Sequence, residues 1–156
     1  MSHSSRFDVV DGPKWLPALR AYFAAIMLGN LVWESLQLPL YAIWREGSPR
    51  EIVFALAHCT AGDLMIAAGA LLASLLLLGS KDWPRTSFGG VAVAAIALGV
   101  AYTGFSEWLN VSVRKSWAYS ELMPVVPLAG GVGVSPLLQW LVVPAASFWC
   151  ARRASR

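Results

Sequence analysis

The chain has 156 residues, of which 57% are hydrophobic and only 13% charged, and its mean hydropathy is +0.58. So small a globule cannot bury that much apolar surface inside itself, which excludes an ordinary water-soluble domain and leaves lipid as the place to hide it. Twelve Lys plus Arg against nine Asp plus Glu give a net charge of +3, and with no basic stripe this excess reports membrane topology and not a nucleic-acid partner.

Residues 1–20 are polar, carry Asp8 and Asp11, and show no small-residue cleavage site after a compact apolar core. They are expected to form a cytoplasmic N-terminal segment, with the span behind them retained. A helix needs roughly 20 residues to cross a bilayer core of about 30 Å. Apolar stretches at 21–44, 52–79 and 88–111 meet that length, and 135–151 supplies a shorter fourth crossing. Between the third and fourth, residues 112–134 hold Pro124, Pro127, Gly130, Gly131 and Gly133. That composition breaks a helix and predicts an outer loop folded back as a lid or re-entrant segment. Ser135-Pro136 reads as a helix start, with Ser as N-cap and Pro at the first helical position. The expected fold class is all-α: one polytopic membrane domain over 1–156, a four-transmembrane-helix bundle with a periplasmic lid or re-entrant segment before the last helix.

Basic residues set the expected orientation. Arg6, Lys14, Arg20, Lys81, Arg85, Arg152, Arg153 and Arg156 fall on one side, and Arg45, Arg50, Arg114 and Lys115 on the other. Positive-inside then places both termini in the cytoplasm of an inner, plasma-type membrane. Trp44, Trp108 and Trp117 would form the outer aromatic belt and Trp15, Trp83 and Trp149 the inner one. Cys59 and Cys150 lie in different spans and are expected to stay unpaired.

Three carboxylates interrupt the apolar runs: Glu34, Asp63 and Glu107. An acid near the bilayer centre carries a penalty of roughly 2.5–3.5 kcal/mol, so something must offset it. At 1.5 Å of rise per residue, Glu34 and Asp63 lie roughly 15 Å from the outer ends of their helices, His58 roughly 9 Å and Glu107 roughly 6 Å. All four share the outer half of the membrane. Asn30, Glu34, Gln37 and Tyr41 make a polar stripe on the first span, and Thr103, Glu107 and Asn110 repeat its spacing on the third. The spacing shared by Glu34-Gln37-Trp44 and Glu107-Asn110-Trp117 hints at an internal duplication. The inner halves hold little that is polar besides Tyr22 and Ser74. His58 and Asp63 point about 140° apart on one helix, so other helices must join them.

Hiding every charge from lipid predicts a periplasm-facing pocket. Its catalytic candidates are Glu34, Asp63, Glu107 and His58, and its substrate-binding candidates are Asn30, Gln37, Tyr41, Thr103, Asn110, Trp108 and Trp117. Two chemistries fit. Clustered acids in a dry site perform general acid–base work on a small lipophilic substrate such as an isoprenoid, a sterol-like molecule or a quinone. Glu34, His58, Asp63 and Glu107 would equally serve as a ligand set for one or two divalent metal ions, although no Glu-x-x-His pair fixes two ligands on one helix face. Either chemistry makes the chain a small membrane-embedded enzyme: an isomerase, a hydrolase or a metal-dependent oxidoreductase. Two other classes stay open. Intramembrane acids and a Pro/Gly-broken segment also suit a proton- or cation-coupled transporter. A non-catalytic subunit or assembly factor of an inner-membrane complex would pair the acids with a partner's basic groups. The plainest alternative is interhelical hydrogen bonding, with Asn30, Gln37, Asn110 and Gln139 as partners, each bond contributing about 1 kcal/mol. The expected partners are the lipid bilayer, a small lipophilic ligand, and a second copy or larger membrane complex.

Overall fold

The computed structural model describes residues 15–127 and 130–156. The assignment of residues 1–14, with Arg6 and Lys14 of the charge count, lies outside the described residues. Four long helices carry the architecture: α1 (Trp15–Gln37), α3 (Pro49–Leu78), α4 (Phe88–Glu107) and α5 (Val134–Ala154), with α2 (Ile43–Glu46) a single turn between the first two. Each long helix, with the turns that extend it, is long and apolar enough to cross a membrane. The protein is an all-α, four-helix membrane bundle. Around the bundle α1 packs on α5, α5 on α4, α4 on α3 and α3 on α1, so every adjacent pair runs antiparallel and α1 lies diagonal to α4.

Local sequence explains where the helices stop. Pro39 lacks an amide proton and disfavours helix in the residue before it, so α1 ends at Gln37 and passes through a single 3-10 turn, Leu38–Leu40. Tyr41 follows in an extended conformation. The first span therefore begins at Trp15 and breaks before Tyr41, where an unbroken helix over 21–44 was expected. At the start of α3, Ser48 and Glu51 form a reciprocal capping box with Pro49 in the first turn, which satisfies two amides that a helix end leaves free. At its far end α4 widens into a π-helical turn over Trp108–Val113.

Small and polar residues make up much of the surface facing the bundle axis, and many large apolar ones face outward. Val91, Ala95, Gly99, Thr103 and Glu107 form the buried ridge of α4. Leu28, Val32, Leu36, Met65, Leu72, Leu76 and Val93 are exposed on the outside. Lipid tails are as apolar as leucine, so helices in a membrane associate through close packing and polar contacts, and small residues at the interface allow that. Gly99 is the sharpest case: a Cβ there would stand 2.2 Å from the Trp140 ring. The half of the bundle away from Glu34 is closed by Ala18, Tyr22, Ile26, Ala67, Leu71, Val91, Phe148 and Ala151. Its buried serines bond back to their own helices, Ser74 to the Ala70 carbonyl and Ser147 to the Val143 carbonyl, both at 2.8 Å.

The stretch between α4 and α5 lies across one end of the bundle as a cap. It is tied to the α1–α2 link by Ala42 N–H donating to Ala118 O and Ser120 N–H to Leu40 O, each at 2.9 Å. An isolated bridge joins Tyr41 to Tyr119. Behind it a two-residue hairpin pairs β1 (Val125–Val126) with β2 (Val132–Gly133), and Gly130 and Gly131 take the positive φ that its turn requires. These bonds occupy backbone groups that an irregular segment would otherwise leave bare. The N-cap of α5 is Gly133 and not Ser135, a correction to the sequence reading. The Ser135 hydroxyl is used elsewhere.

Trp44 and Trp108 are exposed near the capped end, and Trp15 and Trp149 near the other, as two aromatic belts would require. Trp83 and Trp117 depart from that scheme: their indole nitrogens are buried. Cys59 and Cys150 are both free.

Candidate functional site

The buried face of α1 presents Asn30, Glu34 and Gln37 to the bundle axis. From α5, Gln139 reaches across to meet them. Its Nε2 lies 3.1 Å from Asn30 Oδ1, 3.0 Å from Glu34 Oε1 and 2.9 Å from Asp63 Oδ2 on α3. An amide nitrogen carries two protons, so three acceptors, two on α1 and one on α3, converge on two donors. Gln37 Nε2 adds donors to Glu34 Oε1 at 2.8 Å and to Gln139 Oε1 at 3.2 Å. The network continues outward: Ser135 Oγ donates to Gln37 Oε1 at 2.8 Å, and Trp33 Nε1 donates to Ser135 Oγ at 3.2 Å. The Trp140 indole, seated on Gly99, is a further donor toward Asp63. Asn30 and Gln139 are each only 2% exposed, so these bonds form out of contact with water or lipid.

Glu107 on α4 anchors a second group beneath the cap. Its Oε2 accepts from the Tyr119 hydroxyl at 2.5 Å and from the Tyr41 hydroxyl at 3.4 Å. The Tyr119 oxygen in turn accepts from the Gly133 N–H at 2.9 Å, so the hydroxyl relays between a carboxylate and the backbone at the start of α5. The Tyr41 and Tyr119 rings meet edge to face at 5.5 Å. Burial, and then the nearby charge of Glu107, holds the Tyr41 hydroxyl well above the ordinary tyrosine range. Burial likewise raises that of Tyr119, with its hydrogen bond to Glu107 acting the same way. Both tyrosines are therefore neutral donors at physiological pH.

The two groups share one electrostatic neighbourhood. Glu34 lies within range of Glu107, and Cys59, on α3 one turn before Asp63, senses all three acids. Beside them are polar atoms without a partner: the buried Oγ1 atoms of Thr60 and Thr103 and the Trp117 indole nitrogen. Trp117 approaches Glu107 and falls short of hydrogen-bond geometry. Thr103 is 7% exposed and sits one turn from Glu107 on the same helix face. Buried polar groups are nearly always satisfied, so these three bare atoms stand out among the described residues.

The residues expected from sequence divide cleanly. Glu34, Asp63, Asn30 and Gln37 come together in the first group, and Glu107 and Tyr41 in the second, with Thr103 and Trp117 beside it. His58 does not join: it lies on the exposed side of α3, stacked on the Phe54 ring at 5.6 Å. Asn110 turns back onto Ser106, donating to its carbonyl at 2.9 Å. Trp108 is exposed and packs near Phe105 and Gly130. A metal-ligand set of Glu34, His58, Asp63 and Glu107 does not form, and among the described residues no three His, Cys, Asp or Glu side chains group closely enough to hold an ion. The chemistry agrees, since the acids face amide, phenol and indole donors, which compete with a cation for the same lone pairs.

Tyr119, Ser135 and Trp140 are site residues that the sequence did not point to, and Gln139 entered only as one partner among several. Gln139 had a signal, as a lone amide in the middle of an apolar span. Tyr119 had none, because only the path of the cap brings it to Glu107. Comparison of the chain with known protein families, with proteins of curated function and with solved structures finds no match.

Proposed function

We propose that the protein is a membrane-embedded acid–base enzyme that takes a small lipophilic substrate from the bilayer. The substrate's polar head enters among Glu34, Asp63 and Glu107. The observation that carries this reading is a buried pair of carboxyl groups, Glu34 and Asp63, sharing the Gln139 amide, with a third buried acid, Glu107, held by two phenols under the cap. In a redox-neutral isomerisation one carboxyl group delivers a proton to one carbon while another removes a proton from a neighbouring position, so hydrogen and charge balance without an oxidant. The Glu34 and Asp63 pair, sharing the Gln139 amide, suits the proton exchange. Glu107, held by two neutral phenols, suits the stabilisation of positive charge that develops on an isoprenoid or sterol-like skeleton.

The buried carboxyl and amide groups stop at mid-bundle, and the far half is closed by apolar packing and by serines bonded to their own helices, which supports a blind pocket over a path through the membrane. On the basic-residue count, the pocket opens to the periplasmic side of an inner membrane, with both termini cytoplasmic. A cysteine at the exposed Ser116 is then labelled from the periplasm; labelling only from the cytoplasm reverses the orientation.

The function is tested by extracting and weighing the lipophile that co-purifies with wild type, Glu34→Gln, Asp63→Asn and Glu107→Gln. The expected result is a stoichiometric small lipophile on the wild type that is lost from each variant while all four proteins insert and purify. A wild type free of any such lipophile, with variants that lose only stability, would make the cluster structural.

A further inference from the structure

At the end of the bundle opposite the cap, a cavity of about 290 Å³ is lined by Pro84, Arg85, Phe88, Arg152, Ser155 and Arg156. Half of its lining residues are arginines, and no acidic side chain lines it among the described residues. The arginines come from two elements. Arg85 is in the α3–α4 turn, fixed by its N–H donating to Asp82 O at 2.7 Å. Arg152 is in the last turn of α5, its guanidinium 5.6 Å above the Phe88 ring. That ring is itself held, stacked on Trp83 at 6.3 Å and edge-on to Phe148 at 5.9 Å.

Phe88 is also the first residue of α4, whose N-cap, Ser87, makes no side-chain hydrogen bond. The positive end of the α4 dipole therefore lies beside the same cavity. Nearby, Arg153 covers the exposed Trp149 ring at 3.8 Å, and Trp149 and Trp15 are the exposed tryptophans of this end. Such rings sit at the headgroup level of a bilayer.

The geometry points to a phosphate site that takes the headgroup of an anionic phospholipid from the surrounding leaflet. Arginine forks match phosphate oxygens in pairs. The volume is at the small end of ligand pockets, which start at about 300 Å³, so it admits a headgroup while the acyl chains remain in the membrane. A basic pocket between helices at the headgroup level meets lipid phosphate at far higher local concentration than any soluble anion. The inference is independent of the acid cluster at the other end.

The test uses the full-length protein in neutral detergent, with lipid adducts counted by native mass spectrometry and unfolding followed by heating. Phosphatidylglycerol is expected to bind and raise the unfolding temperature, and phosphatidylcholine to do neither. The double variant Arg85→Gln/Arg152→Gln is expected to weaken phosphatidylglycerol binding about thirtyfold, equivalent to about 2 kcal/mol for two arginines. Because Arg152 also packs on Phe88, Arg85→Gln alone provides a variant that leaves the ring cluster intact, and it is expected to lose part of the binding. Arg45→Gln/Arg50→Gln, at the capped end, is expected to lose little. Equal binding of the two lipids, or equal loss in the two double variants, would reduce the effect to general surface charge and overturn the site. Inorganic phosphate that protects as well as the lipid would assign the cavity to a soluble phosphate and overturn the lipid assignment.

Discussion

The Tyr119 hydroxyl donates to Glu107 Oε2 at 2.5 Å, joining the cap to a carboxylate that is only 7% exposed. The same oxygen accepts the Gly133 N–H, so one phenol closes the connection between α4, the cap and the start of α5. The cap is thereby part of the site and not only its cover.

Tyr119→Phe removes both bonds and keeps the ring. Leaving buried polar groups unsatisfied costs about 1–3 kcal/mol, and the cap should loosen. The expected result is a lower unfolding temperature in detergent together with faster proteolysis within residues 114–133. Unchanged proteolysis would show that the backbone bonds to the α1–α2 link hold the cap without the phenol.

Gln139 is the junction of α1, α3 and α5, and its amide cannot be replaced by shape alone. Gln139→Leu leaves Asn30, Glu34 and Asp63 without their shared donor, a change expected to destabilise the bundle by about 3 kcal/mol. Asn30→Ala removes a single acceptor and should cost less. Thermal unfolding of the two variants in the same detergent checks the order; equal losses would mean that the contacts to Glu34 and Asp63 contribute nothing beyond the one to Asn30.

Much of this was legible in the sequence because a membrane makes polarity conspicuous. Glu34, Asp63 and Glu107 stood out against apolar runs, and the 3.6-residue period correctly put Asn30, Glu34 and Gln37 on one buried face. Periodicity failed where the helix itself failed. Tyr41 follows Pro39, so it belongs to a bridge with Tyr119 and not to the helical stripe, although it reaches Glu107 all the same. His58 was placed in the site by chemistry, and its helix face decides otherwise. Asn110 copies the spacing of Gln37 but bonds to its own helix, so the apparent repeat does not extend to its hydrogen bonds. The path of residues 114–127, which delivers Tyr119, is set by long-range backbone pairing that no local pattern encodes.

His58→Ala is accordingly expected to leave the retained lipophile and the unfolding temperature close to wild type, since the ring is exposed and, among the described aromatic residues, stacks only on Phe54. Loss of the lipophile in this variant, measured beside Asp63→Asn, would show that the exposed face of α3 takes part in binding.

The two half-buried tyrosines set an alkaline limit. Burial and Glu107 raise both hydroxyls above the ordinary value of about 10. An unfolded chain gives up these protons as pH passes about 10 while the folded chain keeps them, so their stabilising effect is complete below that pH and is lost as pH rises through the folded values. The unfolding temperature should fall through that alkaline range, and Tyr119→Phe should fall less steeply. Parallel curves for the two proteins would remove Tyr119 as a source of the effect.

Gly99 tests whether close helix packing positions the acids. A Cβ at Gly99 would come within 2.2 Å of the Trp140 ring, whereas one at Gly104, on the same helix, meets only Leu137 at 3.6 Å. Alanine is the better helix former by about 1 kcal/mol, so Gly104→Ala is expected to be neutral or mildly stabilising. Gly99→Ala must instead move the indole, at about 1–3 kcal/mol for an overpacked core, and the indole is a donor toward Asp63. The variant should therefore lose stability and lipophile retention together. A Gly99→Ala protein that is destabilised yet keeps a stoichiometric lipophile would separate the packing of α4 against α5 from the geometry of the acids.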